Sequence, residues 1–306
     1  MQNFAPIALF VYNRPKHTER TVKFLKQNEL AAESRLFIFS DGAKDITDEE
    51  KVNEVRDFVH GIDGFKSVEI LESKENLGLA NSIIAGVNKL TRDYGQVIVF
   101  EDDLISSPFT LTYFNEALNR YRAEPLVMHI GAYMYPLKAV NNLPESFFYR
   151  AATSWGWATW ERAWQNFEPN IDTLIKQFDN QKKNQFTIEK TMNFWKQMIE
   201  FKKGKNSSWA IRWYASIFLK GGLTLNPSQS LINNIGHDGT GIHSGMNDIY
   251  NVIINPKQIT QFPTIVEENP EAYHAIRTFL SNRKGSMMVR IKRFVKEKLN
   301  QYFKNS

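Results

Sequence analysis

The sequence predicts an α/β fold in which a mostly parallel sheet has helices on both faces. Two observations carry this prediction. Short apolar runs alternate with helical patterns through the first third of the chain, as they do in βαβ units. The 306 residues, of which 42% are hydrophobic, also suffice for a sizeable core. We expect one domain over residues 1–282, with halves at 1–105 and 106–282, and a helical tail over 283–306.

Each predicted element follows from its local pattern. Strands are runs of apolar, β-branched and aromatic residues, and helices show apolar positions three and four apart. In chain order they are a strand at 6–12, a helix from Pro15 to about Leu30, a strand at 35–40, a helix from about Thr47 to His60, a strand at 67–71, a helix at 78–90 and a strand at 96–100. Farther along we predict a helix from about Ser208 to Leu219 and a short strand around Leu223.

The composition narrows the class of protein. The chain has no cysteine, which excludes disulfides and thiolate chemistry and is typical of a reducing compartment. No apolar run approaches the roughly 18 residues of a membrane-spanning helix, and the N-terminus lacks the basic segment of a signal peptide. We therefore expect a cytoplasmic protein.

The net charge of +5 is unevenly distributed. Residues 283–306 contain eight basic residues and one acidic residue, a net charge of +7, so residues 1–282 carry −2. A mildly acidic body disfavours binding to nucleic acid, which is itself an anion. The basic character therefore belongs to the tail.

Three carboxylates follow the fourth predicted strand. Glu101, Asp102 and Asp103 come directly after a buried apolar run. Side chains alternate along a strand, so we expect Glu101 and Asp103 on one face and Asp102 on the other. Their mutual repulsion costs stability unless a cation lies there, although a solvated sheet edge could also tolerate them.

Other polar residues follow the neighbouring strands. Ligands of open parallel sheets bind outside the carboxyl ends of the strands, so these residues are predicted to line one crevice with the triplet. They are Asn13, Arg14, Asp41 and Asn76. Simpler interpretations remain open, because Asp41 with Gly42 is also a common turn and Asn76 could only cap the next helix.

Four motifs stand in a characteristic order: SDGA at 40–43, NLGLA at 76–80, FEDDL at 100–104 and WGWATW at 155–160. On these motifs the chain resembles glycosyltransferases of the GT-A fold over residues 6–245. The resemblance is to the group of N-acetylglucosaminyltransferase I and of bacterial enzymes that build surface polysaccharides. It implies a Rossmann-like nucleotide-binding sheet. It also implies transfer of a hexosyl or N-acetylhexosaminyl group from a nucleoside diphosphate, expected to be UDP, to a hydroxyl of a glycan or lipid-linked glycan.

The resemblance also assigns roles to the crevice residues. Asp103 would hold Mn²⁺ or Mg²⁺, a hard cation that prefers oxygen ligands and bridges the donor diphosphate. Glu101 and Asp102 would face the ribose or the donor sugar, and Asp41 would accept a hydrogen bond from the base. Asn13, Arg14 and Asn76 would line the nucleotide.

Tryptophans cluster in the second half of the chain. Trp157, Trp160 and Trp164 fall at helical spacings, which predicts a helix with a core-facing stripe. Trp155 and Gly156 precede that helix, and the resemblance places them beside the donor sugar and the acceptor. An indole can stack on the apolar face of a sugar, but Trp155 could equally be a core residue.

The catalytic base is left open by the next segment. The resembled enzyme has a carboxylate between two tryptophans, but no carboxylate lies between Trp209 and Trp213 here. The glycine-rich stretch 233–245 offers Asp238 as the candidate base. It also offers His237 or His243 as a ligand of the metal or diphosphate, with His243 preferred. The alternative interpretation of this stretch is a surface loop.

Two other functions compete with glycosyl transfer. A sugar-phosphate nucleotidyltransferase also joins a sheet to a metal and a nucleotide, but it would need a glycine-rich loop after the first strand, and residues 12–20 contain no glycine. A non-catalytic glycan- or membrane-binding protein could keep the fold, but the intact triplet argues against it. We expect inversion by direct displacement, because one base and one metal suffice for it.

The tail forms a predicted basic amphipathic helix. Apolar residues recur three and four apart from Met287 to Tyr302, with arginines and lysines on the opposite face. Such a helix can lie in a membrane surface, which would place the protein peripherally on the inner face of the cell membrane. The alternative is a terminal helix packed on the body.

Overall fold

The computed structural model describes residues 4–138, 140–236 and 248–283. Its strands are β1 (Ile7–Val11), β2 (Arg35–Ser40), β3 (Ser67–Glu72), β4 (Gln96–Glu101), β5 (Leu104–Ser106), β6 (Val127–Gly131), β7 (Ser146–Tyr149), β8 (Trp157–Trp160), β9 (Leu223–Pro227) and β10 (Ile232–Asn234). Its α-helices are α1 (Pro15–Lys26), α2 (Ile46–His60), α3 (Leu79–Tyr94), α4 (Thr110–Arg120), α5 (Glu161–Trp164), α6 (Ile171–Ile175), α7 (Asn180–Phe186), α8 (Phe194–Lys202), α9 (Trp209–Leu219) and α10 (Pro270–Asn282).

The central sheet has the strand order β3-β2-β1-β4-β8-β6-β9-β7. Strands β3, β2, β1 and β4 are parallel, whereas β8 runs antiparallel to both β4 and β6. Strand β5 leaves β4 at the triplet and pairs antiparallel with β10 in a separate two-stranded sheet. The predicted α/β fold with a mostly parallel sheet flanked by helices is confirmed.

The four predicted strands of the first half and the helices between them occur close to their predicted positions. Helix α1 begins with Pro15, as predicted, but ends at Lys26 and not near Leu30. The reason is tertiary: the buried Asn28 side chain donates to Ser106 Oγ at 3.0 Å and accepts from the Leu111 N–H at 3.0 Å. These contacts hold the chain in a turn that a continuing helix could not make.

Helix α3 buries most of its predicted apolar face. Ile83, Val87 and Leu90 are fully buried against the sheet, but Leu79, predicted on the same face, is 46% exposed. The helix extends beyond the predicted end to Tyr94. It stops at Gly95, which adopts a left-handed φ of 77° and donates to the Thr91 carbonyl at 2.7 Å. Glycine suits this position because it has no Cβ to clash.

The tryptophan segment is a strand where the sequence predicted a helix. Residues Trp157–Trp160 form β8, and only Glu161–Trp164 is helical. Because β8 lies between β4 and β6, it is buried on both faces. A strand buried on both faces need not alternate apolar and polar residues. The predicted burial is right, since Trp157, Trp160 and Trp164 are at most 4% exposed.

A second apolar cluster lies beside the sheet in the C-terminal half. It is rich in aromatic side chains, and Phe186 stacks on Tyr214 with ring centroids 4.5 Å apart. Arg150 joins this region to the segment before α10 through a bidentate ion pair with Glu268. Among the described helices, none combines the length and apolar character that a membrane span requires.

Candidate active site

The candidate site lies at β1, where successive strands stop being added on one side of the sheet and continue on the other side. Strand β1 is flanked by β2 on one side and β4 on the other, so the crevice outside their carboxyl ends is a topological switch point. Arg14 lies beyond the end of β1, and the carboxylate triplet begins with Glu101, the last residue of β4. The Arg14 guanidinium contacts the Asp102 carboxylate and lies 3.0 Å from Asp103 Oδ2. The predicted meeting of Arg14 with the triplet therefore occurs.

The sequence predicted that the side chains of the triplet point to alternate faces of the sheet, but they do not. Strand β4 ends at Glu101, and a turn at Asp102 and Asp103 brings both of these carboxylates to one guanidinium. Thr21 on α1 holds the turn, because its hydroxyl donates to the Asp102 carbonyl at 2.8 Å and accepts from the Leu104 N–H at 3.1 Å. Sequence reasoning missed Thr21, whose only local signal is a polar residue on a buried helix face.

The end of β10 completes the wall behind Asp103. Asn234 Nδ2 donates to Asp103 Oδ1 at 3.3 Å, and the Ile235 N–H donates to the Asp103 carbonyl at 2.8 Å. At Gly236 a Cβ atom would overlap the Asp103 carboxylate and lie 3.0 Å from Arg14 Nη1. A side chain at this position would therefore have to displace the Asp103 carboxylate. The sequence analysis named this stretch but did not single out Asn234 or Gly236.

Burial and charge perturb the acidic groups. Burial, reinforced by the charges of Asp103 and Asp102, raises the pKa of Glu101 to about 8. Burial also raises the pKa of Asp102 to about 6, although the neighbouring Arg14 opposes the shift. Burial alone would lower the pKa of Arg14, but the two carboxylates outweigh it and raise that pKa. Both shifts mean that burial disfavours the ionised forms of Glu101 and Asp102.

Asp41 and Asn76 meet, but they are engaged with each other. The buried Asp41 carboxylate accepts from the backbone N–H groups of Gly42, Leu77 and Gly78 at 2.8–3.0 Å. Asn76 Nδ2 lies 3.3 Å from Asp41 Oδ2 and donates to the Gly42 carbonyl at 2.8 Å. Four donors fill a carboxylate's usual capacity. In this structure Asp41 holds the 76–78 loop against the end of β2, and its predicted contact with a base stays a prediction.

Asn13 reaches the first turn of α2. Its amide donates to Asp48 Oδ1 at 2.7 Å, and the neighbouring Tyr12 hydroxyl donates to Asp48 Oδ2 at 2.6 Å. Burial and the hydrogen bond to Asp48 raise the pKa of Tyr12 to about 12. Asp48, which the sequence analysis did not name, ties the end of β1 to the rim of the crevice.

Trp155 and Gly156 reach the same edge of the sheet as the triplet. The antiparallel register sets Trp157 opposite Val99, so the residues preceding β8 lie beside the end of β4. Gly156 has a φ of 63°, and a Cβ atom there would overlap Ile232 of β10. The Trp155 ring meets Tyr133 edge-on with centroids 4.5 Å apart. These two positions are thus fixed by backbone conformation and aromatic packing.

The carboxylates fit a hard divalent cation that arrives with a diphosphate. Within residues 4–138, 140–236 and 248–283, no group of three or more histidine, aspartate or glutamate side chains is arranged for metal binding. Mg²⁺, however, commonly binds through one or two carboxylates together with substrate phosphates, and Asp102 and Asp103 supply such a pair. Asp238, His237 and His243, the predicted base and late ligands, lie outside the described residues.

The fold and the site define a GT-A glycosyltransferase, and sequence comparison agrees. Residues 7–166 match the family described as glycosyl transferase family 2, and the chain belongs to that family. The predicted class is confirmed. A search of curated protein sequences finds no significant match.

Matches among solved structures include the following two. The mannosyltransferase PcManGT from Pyrobaculum calidifontis, in complex with GDP-Man and Mn²⁺, is 10% identical, with a TM-score of 0.43 over 72% of this chain and 70% of that chain. S. aureus TarS 1–349 is 9% identical, with a TM-score of 0.44 over 75% of this chain and 59% of that chain. Identities this low do not indicate what the present chain binds.

Proposed function

We propose that the protein transfers a hexosyl or N-acetylhexosaminyl group from a nucleoside diphosphate, UDP being the expected carrier, to a hydroxyl of a glycan or lipid-linked glycan. The reaction is metal-dependent and inverts the anomeric centre. One observation carries the proposal: Asp102 and Asp103 directly follow β4, the strand beside the switch point, where ligands bind in open sheets.

The donor side follows from the charges at this edge. Asp103, with Asp102 beside it, would hold Mn²⁺ or Mg²⁺, and the bound cation supplies positive charge to the leaving diphosphate. Arg14 offers a guanidinium to the phosphates, which it can bind with two parallel hydrogen bonds. Glu101 and Asp102 face the ribose or donor sugar. Asn13, Asp41 and Asn76 line the nucleoside farther along the sheet edge.

The acceptor side is supported by aromatic residues at the same edge. Trp155 and Gly156 lie beside the donor sugar, and Tyr133 and Tyr250 pack around the indole. Aromatic rings can cover the apolar face of a sugar while water is excluded. Asp238 takes the acceptor proton as general base, and His243 contributes to the metal or diphosphate.

The tail suggests where the acceptor is found. Residues 283–306 carry +7, and each cation near an anionic bilayer contributes about 1 kcal/mol to binding. We infer a reversible peripheral association with the inner face of the cell membrane. This location matches a lipid-linked acceptor, and the body then works at the membrane surface.

The proposal is tested with a panel of sugar nucleotides, with and without Mn²⁺. A true donor raises the melting temperature, because ligand binding stabilises the native state by mass action. The same donors are then assayed with acceptor glycans, and products are identified by mass spectrometry. Release of nucleoside diphosphate with a new glycosidic bond supports transfer. Formation of a nucleoside triphosphate and a sugar 1-phosphate when pyrophosphate is added to the donor supports the nucleotidyltransferase instead. Thermal shifts without turnover of any donor support a binding protein.

A further inference from the structure

Arg14 is the counter-ion of the carboxylates that follow β4. Its guanidinium contacts Asp102 and lies 3.0 Å from Asp103 Oδ2. All three side chains are largely withdrawn from solvent, with exposed fractions of 19% for Arg14, 6% for Asp102 and 13% for Asp103. In such surroundings charges are weakly screened, so the guanidinium contributes much of the compensation for the two carboxylates.

Other groups facing the pair compensate it less. Asn234 donates to Asp103 Oδ1 but carries no charge. Thr21 contacts the backbone of Asp102 and not its carboxylate. His17 lies near enough to favour the charged form of Asp102, but more weakly than Arg14 does. Within the described part of the chain, the ion pairs of both carboxylates are made with Arg14.

Each carboxylate oxygen of Asp103 already has one donor. Oδ1 accepts from Asn234 and Oδ2 accepts from Arg14, and Gly236 approaches the same carboxylate. A divalent cation that binds Oδ2 would lie against the Arg14 guanidinium, which is 3.0 Å from that oxygen. Two cations repel each other at short range, whereas a neutral amide does not oppose the metal. Arg14 is accordingly the partner that leaves.

We propose that Arg14 is an exchangeable counter-ion: it neutralises Asp102 and Asp103 in the free enzyme and moves to the donor diphosphate when a divalent cation takes its place. Arg14 precedes the first residue of α1, and its long side chain can swing without moving the helix. The diphosphate offers the released guanidinium a doubly hydrogen-bonded partner. This inference rests on the proposed function, because it presumes a metal-bridged diphosphate donor.

The exchange makes metal and donor binding cooperative. Metal alone must displace Arg14 without giving it a new partner, so the free enzyme binds metal weakly. A nucleoside diphosphate provides that partner, and each ligand therefore strengthens the binding of the other by the same factor. The enzyme is thus protected from loading with metal when no donor is present.

The test measures Mn²⁺ binding to the full chain without nucleotide, from the electron paramagnetic resonance signal of free Mn²⁺. Arg14→Met removes the guanidinium and keeps the apolar stem, and we expect it to tighten Mn²⁺ binding by about tenfold or more. Exposed Arg20 on the same helix provides the control. Arg20→Met removes one charge from α1 and should change the affinity by less than about twofold, because an exposed charge is screened.

The second arm measures the affinity for nucleoside diphosphate at saturating Mn²⁺. Arg14→Met should weaken it by about tenfold or more, since the diphosphate loses a charge-assisted bidentate contact. Unchanged or weaker Mn²⁺ binding in Arg14→Met overturns the exchange, as does failure of wild type to bind Mn²⁺ with the diphosphate present. If Arg14→Met does not fold, nitrogen NMR of the wild-type guanidinium groups decides, with Arg14→Lys giving the assignment. An Arg14 signal that does not change on saturation with Mg²⁺ and nucleoside diphosphate also overturns the exchange.

The inference and the proposed function fail in different ways. Sugar transfer with unaltered Mn²⁺ affinity in Arg14→Met would remove the exchange and leave the enzyme a glycosyltransferase. Undiminished transfer in the presence of EDTA would remove the metal dependence and the exchange together. Tighter Mn²⁺ binding combined with weaker diphosphate binding supports the exchange.

Discussion

His129 is a buried histidine whose neutral form is built into the fold. It lies fully buried on β6, and its ring stacks on Trp157 with centroids 5.2 Å apart. Trp213 Nε1 donates to His129 Nδ1 at 3.1 Å, so the proton resides on Nε2, which donates to the Thr153 carbonyl at 3.0 Å. A second proton would displace the Trp213 donor. Burial accordingly lowers the pKa of His129 to about 3.

The sign and size of the pH effect follow from this pKa. In the unfolded chain a histidine has a pKa of about 6.5, so between that value and about 3 the unfolded state binds a proton that the native state does not. Stability is therefore fully present above about pH 6.5 and is lost as the pH falls. The loss from this residue alone amounts to about 2 kcal/mol at pH 5 and about 4 kcal/mol at pH 3.

The assay compares urea unfolding of wild type and His129→Gln at neutral pH and at about pH 5. Glutamine can still accept from Trp213 and donate to Thr153, but it does not titrate. We expect its stability to fall by about 2 kcal/mol less than that of wild type on acidification. Glu101 and Asp102 titrate in both proteins, so their contribution cancels. The exposed His60, which pairs with Glu72, provides the control variant His60→Gln, which should keep the wild-type acid sensitivity. Equal acid sensitivity in wild type and His129→Gln would refute the argument.

Three further predictions concern the site and the tail. Asp103→Asn should abolish metal-dependent donor binding without lowering the stability of the metal-free protein, because it removes charge from a repulsive cluster. Calorimetric titration measures the binding and thermal melting measures the stability. Unchanged turnover would contradict the assignment of Asp103 as a metal ligand. Asp238→Asn should cut turnover by about 10²–10⁴-fold with donor affinity little changed, as loss of a general base does; a loss confined to donor affinity would make that loop part of the nucleotide site. Truncation after Lys284 should abolish co-sedimentation with anionic vesicles and leave activity on a soluble acceptor unchanged. Neutral vesicles are the control. A truncated protein that still binds anionic vesicles would contradict the membrane role of the tail.

The sheet of the first half could be predicted because each strand there is a short apolar run between polar segments. Its crevice could also be predicted, since parallel strands deliver Arg14 and Asp103 to the same edge whatever the details of packing. Strand β8 could not, because tryptophans three and seven residues apart suit a helix as well as a strand buried on both faces. Only its place between β4 and β6 decides the matter.

The remainder of the site depends on contacts that no local pattern carries. Thr21 bonds to a backbone 81 residues away, and Asn234 bonds to a carboxylate 131 residues away. The absence of a side chain at Gly236 matters only because the Asp103 carboxylate approaches it. The position of Asp41 at the sheet edge was predicted. Its hydrogen bonds with the 76–78 loop were not, because they depend on how that loop folds back. Sequence reasoning thus named many of the charged groups and missed the neutral residues that position them.

The pairing of β5 with β10 has a consequence for how the protein matures on the ribosome. The first four strands of the sheet and the whole triplet are made before residue 104, yet Asp103 obtains its partners from Asn234–Gly236. Until that segment leaves the exit tunnel, β5 has no partner strand and the acidic turn lacks its rear wall. We therefore expect activity to begin only after residue 236 has left the tunnel, and a nascent chain ending near residue 166 should consume no donor.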